Sequence, residues 1–267
     1  MTRPTTGETA ADPRAFGAVA VAVFAVAAMA TLAQHASMAA MGGDPMPGDW
    51  MASAVWLRPC GQGVARAFAA FAGMWGAMTV TMMLPVLAPQ LWHYWQRIGP
   101  QTARSAWLIV VAGAGYFSVW MALGALVFPA GAALTTAAAR LPSLARALPF
   151  AAGAVVLAAG ALQFSRWKVR RLACCRHTAA HAHRPRPAVV TAWRYGVHAA
   201  IRCGACCGNL MAVALAAGMM DLRVMAAVAV AIAAERVARA GGRVARIVGC
   251  GVMAGGMVMI ARAAGLA

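Results

Sequence analysis

Apolar residues in this chain come in long unbroken runs, separated by short polar stretches rich in arginine, glycine and proline. Seven runs, at 15–34, 66–90, 106–129, 147–165, 201–220, 222–238 and 245–263, are long enough to read as helices crossing a bilayer. At 1.5 Å rise per residue each covers all or most of a hydrocarbon layer about 30 Å thick. The runs do not alternate polar with apolar, which excludes a strand barrel. The predicted class is therefore all-α, a polytopic bundle with 1–14 as a polar tail and 15–265 as one membrane domain. Runs five and six form a tight hairpin turning at Met220-Asp221-Leu222, and both are near the lower length limit for a span.

Composition agrees: 63% of residues are hydrophobic, 11% are charged and the mean hydropathy is +0.71. A soluble domain averages about 25% charged residues and has no means of hiding so much apolar surface. The net charge of +17 is read as loop charge facing an anionic leaflet, not as a nucleic-acid footprint, because the arginines cluster between spans. Counted by side, seventeen Lys and Arg fall on one face of the membrane and six on the other. The positive-inside rule then predicts a cytoplasmic N-terminus and an external C-terminus. Trp92, Trp95 and Trp107 fall near the inner boundary, with Trp50 and Trp56 near the outer one, as interfacial aromatics do. Glu8 and Asp12 precede the first run, so it is expected to be a retained span and not a signal peptide.

This orientation places six of the seven cysteines on the cytoplasmic half. Cys203, Cys206 and Cys207 open the fifth run, and their i, i+3, i+4 spacing predicts three sulfurs on one helical face. Cys174 and Cys175 stand in the basic loop 166–200, followed by His177, His181 and His183. In a reducing compartment these thiols stay unpaired. Thiolate with imidazole suits Cu(I) or, as the weaker alternative, Zn(II). A second soft set lies on the second run, where Met74, Met78 and Met82 recur every four residues beside Met83, Pro85 and Pro89. Thioether sulfur prefers Cu(I), although methionine at helical spacing also serves as packing. The outer segment 35–65 carries His35, Met38, Met41, Asp44, Met46, Asp49 and Met51, a further candidate for metal capture or interfacial anchoring. Glu235, at the end of the sixth run, is expected to pair with Arg202, Arg239 or Arg246, or else to serve as a hard ligand. Gly251 and Gly255 make a small-xxx-small pair that suits close helix approach. The sequence contains no phosphate-binding loop and no HExxH motif.

Three blocks of residues carry a family resemblance. They are Met74-Trp75-Gly-Ala-Met78-Thr-Val-Thr-Met82-Met83-Leu-Pro85; Ala159-Gly160-Ala-Leu-Gln163 followed by Lys168 and Cys175; and Cys203-Gly-Ala-Cys206-Cys207 followed by Leu210-Met211, Gly218, Met220, Leu222, Met225 and Glu235. Together they resemble a family of bacterial integral membrane proteins predicted to bind metal (domain of unknown function 2182). Thr79, Ser165-Arg166, Gly208-Asn209 and Asp221 depart from that family's pattern. The resemblance implies a metal-binding membrane protein without implying a mechanism. The leading expectation is a soft-metal handler or transporter, most readily for copper. Its core ligands would be Cys203, Cys206 and Cys207, its relay Met78, Met82 and Met83, and its cytoplasmic partners Cys174, Cys175 and His177. The alternatives are a membrane oxidoreductase, or a subunit of one, and a non-catalytic scaffold.

Overall fold

The computed structural model describes residues 13–40, 45–46, 50–51, 63–98, 103–177, 188–218, 221–238 and 240–266. Among the described residues eight helices follow one another: α1 Pro13–Ala40, α2 Val64–Ile98, α3 Ala103–Arg140, α4 Pro142–Leu162, α5 Arg166–His177, α6 Val189–Ala217, α7 Leu222–Val237 and α8 Gly241–Ala263. The only other regular structure among the described residues is a two-residue antiparallel pair, β1 Pro45–Met46 with β2 Trp50–Met51. The protein is a polytopic helical membrane protein.

Six of the helices, α1 to α4, α6 and α8, are long and apolar enough to cross a bilayer. Helix α7 falls short of that length: its 16 residues extend about 24 Å, less than a hydrocarbon core. It occupies the place of the predicted sixth span. Asp221 caps its start, accepting from the backbone N–H groups of Arg223 at 2.8 Å and Val224 at 3.4 Å. Three further boundaries differ from the sequence expectation. Helix α3 runs on to Arg140 and meets α4 across Leu141 alone, because Pro142, with no N–H to donate, is suited to the first turn of the next helix. Helix α6 begins at Val189, twelve residues ahead of the apolar run. The basic loop, expected to be irregular, begins with helix α5.

Close approach between helices depends on missing side chains. A Cβ at Gly196 of α6 would collide with the backbone of α3 at Ala112 and Tyr116. Helices α4 and α8 also pack closely, since a Cβ at Gly249 would meet Gln163, at the end of α4, at 2.9 Å and one at Gly256 would meet Leu157 at 2.9 Å. Gly251 and Gly255, the pair the sequence singles out, have no neighbour within 4 Å of such a Cβ. Helix α1 lies at the edge of the bundle: Phe16 packs on Trp92 and Trp95 of α2 at ring distances of 5.3 and 5.5 Å, while Val19, Val21 and Val26 are exposed. Such apolar exposure is what lipid contact requires. The main core lies between α2, α3, α6 and α7, with Val156 and Ala159 of α4 joining it.

Candidate metal centre

Helix α6 carries the cysteines more than two turns from either end, within regular helix. A helical turn of 3.6 residues stacks positions 203 and 207 on one face, and Cys207 donates its thiol hydrogen to the Cys203 carbonyl at 3.0 Å. The two Sγ atoms are 3.7 Å apart. From α2, the Sδ of Met83 comes within 3.9 Å of Cys203 Sγ. Sulfurs sharing one ion at bond lengths of roughly 2.3 Å stand about 3.8–4.0 Å apart, so these contacts are the right size for a single metal. All three side chains are buried, Met83 and Cys203 completely. Tyr116 of α3 and Arg236 of α7 border the same sulfur. The Tyr116 hydroxyl is fully enclosed and has no hydrogen-bond partner of normal geometry among the described residues. Met74, Met78 and Met82 are buried along α2 in the same core.

Cys206 faces a second cluster, since position 206 lies about 100° around the helix from 207, while it still acts electrostatically on Cys207. Cys206 packs with Leu172 of α5 and Ala245 of α8. On that side of α6 lies a charged cluster. Lys168, the only lysine in the sequence, is completely buried and spends its three N–H donors on three acceptors. They are the Glu235 carboxylate at 2.8 Å, the Cys206 carbonyl at 2.7 Å and Asn209 Oδ1 at 3.1 Å. Gln163 donates to the other Glu235 oxygen at 2.7 Å, and Asn209 donates to the Ala159 carbonyl at 3.2 Å. Glu235 is therefore paired with Lys168, a partner the sequence expectation had not named. Four helices, α4 to α7, meet in this network.

The three sequence blocks thus converge in two places: the first and third at the sulfurs, the second and third at the ion pair. The sequence model of the PpoB2 family, described as "Copper chaperone", matches residues 72–259, from within α2 to within α8. The chain belongs to this family. The match covers every residue of both clusters and leaves α1 outside. Neither the curated proteins nor the solved structures contain a match.

Cys174, Cys175 and His177 occupy the last turns of α5, and their side chains lie outside the described residues, as do His181 and His183 entirely. Met41, Asp44 and Asp49 of the outer segment also lie outside them. Cys250 is exposed on α8. Among the described residues no three His, Cys, Asp or Glu side chains gather at metal-ligand distance. A three-donor set exists at the sulfurs only when the thioether is counted. Sequence reasoning missed Tyr116, Asn209 and the pairing role of Lys168. A lone lysine in a chain otherwise using arginine was the available signal for the last: an ammonium directs three donors from one point, whereas a guanidinium is a planar fork.

Proposed function

We propose that this protein binds copper as Cu(I) within the membrane, on Cys203, Cys207 and Met83, and handles it as cargo. The observation that carries the reading is the contact of Cys203 with both Cys207 and Met83, three sulfurs from two helices that are buried from solvent. Two thiolates and a thioether suit Cu(I); zinc favours four thiolate, imidazole or carboxylate ligands and takes thioether poorly. The family description supports the same cargo. Binding releases the thiol protons, leaving two thiolates on one monovalent ion, and Arg236 beside Cys203 is placed to offset the surplus negative charge. Tyr116 is placed to donate to a thiolate once it forms.

Met74, Met78 and Met82 extend the soft surface along α2 and serve as the relay by which the ion reaches or leaves Met83. Cys174, Cys175 and His177 at the end of α5 are the cytoplasmic exchange ligands in this scheme, with the N-terminus inside and the protein in a bacterial inner membrane. Cys206 is assigned to packing and Glu235 to the ion pair, so neither binds the metal.

The test is copper content of protein purified from copper-supplemented cells, wild type against Cys203→Ser/Cys207→Ser. The expectation is about one ion per wild-type chain and background in the variant. Equal copper in both would refute the assignment.

A further inference from the structure

Copper and thiols normally react. Two cupric ions take one electron each from a pair of thiols, yielding two cuprous ions, two protons and a disulfide. A dithiol that holds copper is therefore exposed to oxidation by its own cargo unless its geometry forbids the S–S bond.

In this protein the geometry does forbid it. Helix α6 is continuous from Val189 to Ala217, and all three cysteines sit in its interior. Side chains three or four residues apart on a helix have Cβ atoms about 5–6 Å apart. A disulfide needs its Cβ atoms within about 3.5–4.5 Å. Cys203 can therefore bond neither Cys206 nor Cys207 unless a helical turn opens. Cys206 and Cys207, as adjacent residues, point in directions about 100° apart. Opening the turn is resisted on both flanks. Gly196 locks α6 against the α3 backbone, and Lys168 grips the Cys206 carbonyl and Asn209. Meanwhile the 3.7 Å between Cys203 and Cys207 is ample for two sulfurs to share an ion.

We propose that the mid-helix setting makes Cys203 and Cys207 a dithiol that shares a metal but cannot close to a disulfide. The pair then stays in its metal-ready form without a reductant. It is a ligand set for monovalent copper and not a dithiol–disulfide redox couple, unlike Cys-x-x-Cys pairs that cycle between the two states. The proposal builds on the assignment of these thiols as cargo ligands, but its test uses no copper, so the two fail separately.

The experiment treats full-length protein in detergent with diamide, a membrane-permeant oxidant, then traps remaining thiols and maps cross-links by mass spectrometry. A second protein, Met83→Cys/Cys207→Ser, places the two thiols on separate helices, where no helical turn holds them apart. The expected result is no Cys203–Cys207 disulfide in the wild type and an interhelical cross-link to Cys203 in the variant. A Cys203–Cys207 disulfide in folded wild type would overturn the proposal. So would the absence of a cross-link in both proteins, because burial alone would then explain the protection. Should the variant not fold, alkylation of Cys203 in folded wild type by a small permeant maleimide supplies the control for access. Protein that is neither alkylated nor cross-linked would equally overturn the proposal.

Discussion

The two sides of α6 present opposite solutions to burying polar atoms. On one side Lys168 pairs with Glu235 at 2.8 Å and donates to Asn209 at 3.1 Å and to the Cys206 carbonyl at 2.7 Å, so that every ammonium hydrogen has an acceptor. On the other, Cys203 touches Cys207 at 3.7 Å and Met83 at 3.9 Å, and an enclosed tyrosine hydroxyl has no hydrogen-bond partner of normal geometry among the described residues. An ammonium and a carboxylate that already neutralise each other have little charge left to offer a ligand, and their role is to fix where helices sit. An under-satisfied cluster of soft atoms retains bonding capacity. The metal candidate is therefore the sulfur side, although the charged side draws the eye first in a membrane protein.

The largest expected effect tests the charged side. Lys168→Ala takes from buried Glu235 the ammonium it pairs with at 2.8 Å, and removing one partner of a buried pair costs about 3–5 kcal/mol. The purified variant is expected to melt well below wild type. The double replacement Lys168→Met/Glu235→Leu, which removes both charges, is expected to recover most of that loss. Unchanged thermal stability in Lys168→Ala would mean that the pair does not hold α5 in place.

Next in size is the contrast among the cysteines. Cys203→Ser/Cys207→Ser should empty the protein of copper, while Cys206→Ala, altering the neighbouring position on the same helix, should keep it. Cys206 packs against Leu172 and Ala245, away from the Cys203–Met83 contact. Loss of copper from Cys206→Ala, measured on protein that remains folded, would erase the distinction between the two sides. Met83→Leu comes third. The exchange nearly conserves volume and should cost less than about 1.5 kcal/mol of stability. Removing the thioether should weaken Cu(I) binding, measured by competition with a cuprous chelator, by at least about tenfold. Unchanged affinity would restrict the site to its two thiols.

Much of the fold was legible because lipid imposes a rule that sequence displays directly: about 20 apolar residues per crossing. The runs behind α2, α3, α4 and α8 meet it without ambiguity. Helix α5 and the shortness of α7 share one reason. The end of α7 at Glu235 is covered by protein, because Lys168 of α5 reaches it. A helix whose end is buried in protein does not need full apolar length. The buried face of α5, Lys168 with Leu172, is half charged, so no hydrophobic pattern announces it. At the site, the i, i+4 relation of Cys203 and Cys207 was readable from spacing. The separation of Cys206 was not, because it depends on which neighbours occupy each side of α6. Tyr116 was invisible for a similar reason: a tyrosine within an apolar run gives no sign of what its hydroxyl meets.

The smallest effect is the finest test of the comparison. Tyr116→Phe removes one oxygen, which has no hydrogen-bond partner of normal geometry among the described residues. Deleting a buried hydroxyl that makes no hydrogen bond should leave stability unchanged or slightly raise it, since its desolvation penalty disappears. With copper bound, the same hydroxyl becomes a donor to a thiolate, and loss of such a supporting contact typically weakens metal binding about 10- to 100-fold. The expected signature is thus a split: an unshifted melting temperature without metal, and Cu(I) affinity reduced by at least about tenfold. If the variant instead melts several degrees lower and binds copper as well as wild type, the hydroxyl is a packing element. The sulfur side would then be as structural in character as the ion pair across the helix.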